Sequence, residues 1–402
     1  VVREWQGVII LRICFVTVSR SGTYLYTERL CEELSKNNDV VIITNKDNEN
    51  FRKSTPLKSK IIKLWRRNSI FTPLIIALNA RKLSCNVLVI QYEYSIFGSP
   101  MFSQLSTIIL LIISKFLGYR TIVTLHGVLI PANIIPKRDN IWKVIRNFFG
   151  LILLLFYKLI SIFSDIIVVL NPLQRRLLES YGVSISKTVI IPHGAEMCKA
   201  DEGGGNKPKE NGNVFFHGFV RPSKGLLELI EAIKLLSNEG IDVRLTIVGS
   251  IAYQSLERLD ERRYVSKVIQ KCGELGDRCV MRLGFHETDE LLAIASNSYI
   301  IVLPYKDNFV ESSGVLHMFM DCGKAVVVSR TPRFLADISP KEALFVDVTK
   351  EYLYKNIKFI LQNEELYGIL AENLKKKART RYWHVVAHEW FEVLLGLSEG
   401  RP

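Results

Sequence analysis

Acidic residues are scarce in the first half of this 402-residue chain. Residues 1–190 hold 25 Lys and Arg against 11 Asp and Glu, a surplus of +14, whereas the remainder stands at −1. Such asymmetry points to an acidic partner for the first half: nucleic acid, an anionic membrane surface or a phosphorylated substrate. Nucleic acid drops out, because no helix-turn-helix, RNP-type or zinc-finger pattern accompanies the charge. The chain also lacks any C-x-x-C pair. Its seven cysteines are odd in number and scattered, which predicts neither a disulfide framework nor a zinc site and suits reduced thiols in the cytoplasm. No D-x-D pair is present to hold a metal between phosphates. The "HVVAH" segment spaces His384 and His388 by four, yet Val385 stands where a zinc protease needs its general-base Glu. No metal site is predicted. At the N-terminus an acid precedes a short apolar run with no small-residue cleavage site, so this stretch reads as a first strand rather than a signal peptide.

What is present describes a foldable globular chain, 48% hydrophobic and 23% charged, long enough for two cores. Short β-branched runs alternate with longer helical patterns, the signature of parallel sheets with crossover helices. In the first half the strands are "RICFVTV", "DVVIIT", "NVLVIQY", "RTIVTLH", "DIIVVL" and "TVIIP"; in the second they are "VFFHGF", "VRLTIVG", "CVMRLGF", "YIIVLPY", "KAVVVS" and "ALFVD". The expected division is an N-terminal Rossmann-like domain over residues 1–198, a Gly- and charge-rich linker over 199–213, and a C-terminal Rossmann-like domain over 214–380. A terminal helix over 381–402 is expected to pack back on the first domain. The fold class is α/β, with two parallel sheets facing across an interdomain crevice and ligands beyond the C-terminal ends of the strands.

Two stretches of the basic half stand out. Residues 52–67 carry Arg52, Lys53, Lys58, Lys60, Lys63, Arg66 and Arg67 with no acid among them, and fit either a solvated loop or an anion-facing surface. Residues 148–163, "FFGLILLLFYKLISIF", hold one charge, Lys158. At about 1.5 Å per residue they reach roughly 24 Å, short of a ~30 Å hydrocarbon core. That length disfavours a membrane span and leaves a core helix or one lying in a membrane interface, where Lys137, Arg138, Lys143, Arg146 and Lys158 would meet anionic lipid.

The candidate chemistry gathers in loops after strands. Arg221 and Lys224 lie between "VFFHGF" and a helix, where backbone N–H groups, dipole and side-chain charge would together receive a diphosphate; a plain basic loop fits as well. In residues 310–329 a carboxylate, Glu311, and two hydroxyls, Ser312 and Ser313, precede Gly314, Val315 and an apolar helix. A ligand both anionic and rich in hydroxyls would suit that combination. His126, at the end of "RTIVTLH", falls at the same kind of position, while His193 and His217 read as structural.

Taken in order, "SRSGTYLYTERLCEEL", "TLHG", "VVLNPLQRRLLESYGV", "VIIPHG", "GFVRPSKGLLELIEA", "TIVGS", "RLGFHETDELLAIAS" and "ESSGVLHMFMDCGKAVVVS" resemble the retaining glycosyltransferases of family 4, which have the GT-B fold. The resemblance runs from about residue 11 to about 396, and the ordered series carries it. It implies that Arg221 and Lys224 hold the donor diphosphate, that Glu311 binds donor-sugar hydroxyls and that His126 lies beside the reacting sugar. Gly22, Gly218, Gly249, Phe285, Ser312, Ser313, Gly314 and Val315 fall in the substrate-binding motifs.

Departures accompany the matches. The family commonly has a second Glu, which binds ribose, where this chain has Phe319. Its Arg often follows the loop Gly directly, whereas here Phe219 does. The first loop has Ser21 and Gly22 in place of a Gly pair, and Tyr92 stands where a His is common. The resemblance implies transfer of a hexosyl unit from a nucleotide-sugar to a lipid-linked or polysaccharide acceptor, with retention, without metal or other cofactor, at the inner face of the cell membrane. A nucleotide-sugar isomerase or a non-catalytic sugar-binding relic on the same architecture are the alternatives.

Overall fold

The computed structural model describes residues 11–19, 21–46, 59–131, 140–198, 212–251 and 259–399. Most of the expected linker, together with Arg52, Lys53, Lys58, Lys137 and Arg138, lies outside the described residues. The chain forms two units: residues 1–194, 309–312 and 383–402 make the first, and residues 195–308 and 313–382 the second.

The first unit runs β1 (Arg12–Val16), α1 (Gly22–Leu34), β2 (Asp39–Asn45), β3 (Lys60–Trp65), α2 (Thr72–Lys82), β4 (Val87–Tyr92), α3 (Pro100–Phe116), β5 (Arg120–Leu125), β6 (Gly127–Val128), α4 (Asn140–Phe163), β7 (Ile166–Val169), α5 (Pro172–Ser180) and β8 (Thr188–Ile190). The second continues with β9 (Asn213–His217), α6 (Leu226–Asn238), β10 (Arg244–Gly249), α7 (Leu259–Gly273), β11 (Cys279–Leu283), α8 (Thr288–Asn297) and β12 (Ile300–Leu303). After β13 (Val310–Glu311), which belongs to the first unit, it resumes with α9 (Gly314–Phe319), β14 (Ala325–Ser329), β15 (Leu344–Val346), α10 (Lys350–Gln362) and α11 (Glu364–Arg379). The chain then returns to the first unit with α12 (Trp383–Ser398).

Among the described residues the first sheet has seven strands in the order β3-β2-β1-β4-β5-β7-β8, and the second has six in the order β11-β10-β9-β12-β14-β15. Neighbours in both are parallel. Each order reverses direction once, between β1 and β4 in the first and between β9 and β12 in the second, the arrangement of doubly wound sheets. Because successive strand residues face opposite sides, β1 sends Cys14 and Val16 to one apolar layer and Ile13 and Phe15 to the other. Ile76 of α2, Leu111 of α3 and Phe156 of α4 fill the first layer. Leu30 of α1 and Trp390 of α12 fill the second. In the second unit the predicted face of α6 is buried: Leu226, Leu229, Ile230, Ile233 and Leu236 all join the core.

Three sequence expectations change. Lys60 and Lys63 do not sit in a solvated loop but lie exposed on β3, the edge strand of the first sheet, where charge discourages pairing with another chain. Helix α4 starts earlier than the apolar run and has 24 residues, roughly 36 Å, so length alone no longer argues against a span. Lys143–Phe163 is long and apolar enough to cross a membrane. Finally, the cysteines pair as Cys14–Cys85, Cys198–Cys322 and Cys272–Cys279, with Cα separations of 6.0, 5.2 and 5.3 Å, leaving Cys31 as the buried free thiol. The scatter that suggested isolated thiols came from counting along the chain, whereas folding brings distant cysteines together.

Candidate active site

In the second unit the strand order reverses between β9 and β12, and the loops that follow these strands carry the conspicuous charges. After β9 the chain passes Gly218 and Phe219 to Arg221 and Lys224; after β12 it passes Tyr305 to Asp307. Lys224 Nζ lies 3.6 Å from Asp307 Oδ2 and 3.6 Å from the centre of the Tyr305 ring. Arg333 donates from the other side to Asp307 Oδ1 at 2.6 Å. The three charged side chains are 8 to 12% exposed. One carboxylate thus holds two cations side by side, in surroundings where charge is felt strongly. Arg221 is half-exposed and donates to Glu261 Oε1 of α7 at 3.3 Å. Gly225 follows with φ of +66°, and a Cβ there would collide with the Pro304 carbonyl oxygen. Glycine is what lets the Arg221–Lys224 loop reach β12.

Neighbouring loops join the same end of this sheet. Gly218 N–H donates to Val248, Val220 N–H to Ser250 and Gly284 N–H to Gly249. Gly249 lies so close to Gly218 that a Cβ would strike its carbonyl oxygen. Phe219 and Phe285 stand exposed at this end. Ser313 caps α9, its Oγ accepting from Leu316 N at 3.2 Å, with Gly314 and Val315 in the first turn. The apolar run after Gly314 is helical only as far as Phe319.

Glu311 and Ser312 were expected with that second cluster, but the structure groups them with the first unit. Strand β13 pairs antiparallel with β6, setting Glu311 opposite Gly127 and Val310 opposite Val128. The Glu311 side chain lies against Gly127, its Cβ and Oε2 each 3.5 Å from where a Cβ at that position would stand, an ordinary contact distance. Glu311 therefore stands one residue along the pairing from His126. The Asn171–Gln174 start of α5 clamps both segments. Gln174 Nε2 donates to the carbonyls of His126 and Val310 at 3.2 and 3.3 Å, and Asn171 Nδ2 donates to Ser312 Oγ at 3.2 Å.

His126 Nε2 lies 2.7 Å from Gln91 Oε1, and the Tyr26 ring meets the imidazole edge-on at 4.9 Å. Desolvation, reinforced by nearby His193, pulls its pKa from the usual 6.5 to about 3. The shift favours the uncharged imidazole at neutral pH, a hydrogen-bonding group rather than a cation. Gly22 opens α1 beyond β1, with open space where a Cβ would stand. Next to it, Thr23 donates to Glu93 Oε2 at 3.3 Å, across the point where the first sheet reverses between β1 and β4. Burial raises the Glu93 pKa against hydrogen bonds from Ser95 and Thr23, with Glu311 adding to the rise.

Sequence reasoning missed Glu93, Asp307, Arg333, Asn171 and Gln174. Asn171 had a local signal, the Asn-Pro that opens a helix; the others had none, since their partners are distant in the chain. Phe319, at the position of the expected ribose-binding Glu, is fully buried and packs edge-on against Phe215 at 5.3 Å and His217 at 5.8 Å. It is a core residue. His217, with Nδ1 3.0 Å from the Val248 carbonyl, has its pKa lowered by burial to about 4.

Comparison with known proteins bears on both units. Residues 199–381 match the family model described as "Glycosyl transferases group 1". Over 185 residues the chain is 25% identical to the lipopolysaccharide 1,2-N-acetylglucosaminetransferase of Salmonella typhimurium, an alignment covering 44% of this chain and 47% of that protein, about half its length. Among solved structures, sucrose-phosphate synthase from Thermosynechococcus elongatus matches with a TM-score of 0.75 at 18% identity, over 97% of this chain and 100% of that one. HepE of Anabaena in complex with UDP-glucose matches with a TM-score of 0.72 at 14% identity, over 96% and 100%. Residues 199–381, which hold the Arg221–Lys224 loop and its Asp307 and Arg333 neighbours, are thus similar to group 1 glycosyl transferases, in a chain whose fold is that of the GT-B structures.

Proposed function

We propose that this protein transfers a hexosyl unit from a nucleotide-sugar to a lipid-linked or polysaccharide acceptor, with retention of anomeric configuration and without a metal, at the inner face of the cell membrane. The observation that carries the reading is the buried grouping of Lys224 and Arg333 on Asp307 beside Arg221, at the point where the second sheet reverses. Cations there would receive the donor diphosphate and neutralise it as the bond to the anomeric carbon breaks. Glu311 would accept hydrogen bonds from donor-sugar hydroxyls, and His126, uncharged, would hydrogen-bond the reacting sugar. In the proposed step the acceptor oxygen bonds to the anomeric carbon on the face the diphosphate leaves. Its proton passes to the departing phosphate oxygen, so no protein nucleophile is needed. The Salmonella transferase and the UDP-glucose complex of HepE support the donor class. In a reducing cytoplasm the three cysteine pairs would remain thiols and close only on oxidation.

A thermal-shift screen against UDP-, GDP-, ADP- and CDP-sugars, followed by product analysis by NMR, tests the reading. One sugar nucleotide should stabilise the protein, and its sugar should appear in glycosidic linkage with unchanged configuration. A new sugar nucleotide formed without acceptor would mean isomerisation instead, and no response to any sugar nucleotide would leave a relic.

A further inference from the structure

Helices α2, α3 and α4 lie side by side on one face of the first sheet, with α3 between the other two. Their inner faces are spent on the core; their outer faces are apolar as well. On α2, Leu74 and Leu78 are exposed, preceded by exposed Ile70 and Phe71. Along α3, Met101, Leu105, Ile109 and Phe116 form an exposed row, with Met101 at 77% and Phe116 at 88%. On α4, Val144, Phe148, Leu151, Leu155 and Ile162 are exposed. Spacings of three, four and seven residues make each set a single stripe. With the three helices packed side by side, these stripes gather many exposed apolar side chains on one side of the first sheet, and such a gathering marks an interaction surface.

Charge says what covers it. The three helices contain Arg81, Lys82, Lys115, Lys143, Arg146 and Lys158 and not one Asp or Glu. A second copy of the same face would bring like charges together, whereas an anionic lipid surface satisfies the apolar stripes and the cations at once. Depth follows from how α4 is tied down. Its Leu153, Phe156, Tyr157 and Ile160 are buried against the sheet, Leu129 N–H donates to Tyr157 Oη at 2.9 Å, and Lys187 donates to the Ser161 carbonyl at 2.8 Å. Crossing the bilayer would strip these contacts and drag sheet edges into hydrocarbon.

We infer that the outer faces of α2, α3 and α4 together form a membrane-docking surface that lies in the interface of an anionic bilayer without crossing it. The inference deepens the proposed function, since it rests on the acceptor being lipid-linked. Interfacial helices of this kind bury their apolar faces about 5–10 Å into the headgroup boundary.

The test is co-sedimentation of the full chain with vesicles of phosphatidylcholine alone or of equal parts phosphatidylcholine and phosphatidylglycerol. The parent should pellet with the anionic vesicles and be released by alkaline carbonate. Leu105→Glu with Leu151→Glu, both at exposed positions, should abolish pelleting while leaving circular dichroism and the sugar-nucleotide thermal shift unchanged. Reversal of Lys115, Lys143 and Arg146 to Glu should weaken binding about 10²-fold. A parent that ignores anionic vesicles at low salt overturns the docking surface, whatever the thermal shift shows about the donor. So does a Leu105→Glu, Leu151→Glu variant that pellets like the parent. Resistance to carbonate would mean a span, and a parent dimer split by the same variant without vesicle binding would mean self-association; either overturns the inference.

Discussion

Lys224 and Asp307 lie 3.6 Å apart in the second unit, both nearly buried, with Arg333 completing the group at 2.6 Å from the same carboxylate. Asp307 holds the lysine where the second sheet reverses, so in the proposed function the residue that binds the cation in the free protein would also set its position for a diphosphate. Lys224→Ala and Arg221→Ala should each slow transfer about 10²-fold or more, as expected for losing one charge-stabilising group. Both should also lower the melting temperature, since Arg221→Ala takes a cation from the buried Glu261 carboxylate and Lys224→Ala takes one from the buried Asp307. Parent-like turnover by the double variant would defeat the diphosphate assignment.

Asp307→Asn sharpens this. Removing the shared carboxylate leaves two buried cations facing each other, a loss on the order of 3–5 kcal/mol. Urea denaturation should show it, and added nucleoside diphosphate should restore part of the stability by supplying the missing negative charge. A variant as stable as the parent would mean that Asp307 does not hold the pair.

Glu311→Gln keeps size and removes charge. Because Glu311 belongs to the first unit through the β13–β6 pairing, we expect kcat to fall while affinity for the bare nucleoside diphosphate hardly changes. Isothermal titration with the diphosphate alone decides: an equal loss there would place Glu311 on the phosphate or ribose side.

Stability should decline on mild acidification. His317 is wholly buried, its Nδ1 2.8 Å from the Ser313 carbonyl and its Nε2 2.9 Å from Arg381, and burial with the Arg381 charge lowers its pKa to about 3. With the folded value below the ordinary 6.5, the unfolded chain binds the extra proton between about 3 and 6.5. His317 therefore leaves stability intact above pH 6.5 and erodes it as pH falls toward 3, by about 1.4 kcal/mol per pH unit within that window. His126 and His217 act in the same direction. Denaturation midpoints measured from neutral pH down to about 5 should fall steadily, and a flat profile would contradict the neutral state assigned to these histidines.

Trp390 of α12 donates its indole N–H to Tyr26 Oη at 3.0 Å, and Tyr26 in turn borders His126. Trp390→Ala should destabilise the first unit by about 3–5 kcal/mol through the cavity it leaves. Trp390→Phe, which keeps most of the bulk, should cost nearer 1 kcal/mol for the lost hydrogen bond. If both variants melt with the parent, α12 is not integral to that core.

Much of the architecture is written locally. A β-branched run such as residues 300–303 or the spaced leucines of α6 specify strand and helix within a few residues, because burying an apolar face selects period two or 3.6 wherever the chain lies. The order of those runs was enough to anticipate two parallel sheets and to place Arg221, Lys224 and His126 after strands. Other features depend on residues far apart in sequence. Glu311 opposite Gly127, Asp307 between Lys224 and Arg333, the cysteine pairs, and Phe319 closed into the core against Phe215 are contacts that the chain makes only once its sheets have formed. The apolar face shared by α2, α3 and α4 is of the same kind. Each helix is amphipathic or apolar by itself, and only their packing on one side of the first sheet decides which residues are hidden and which remain exposed.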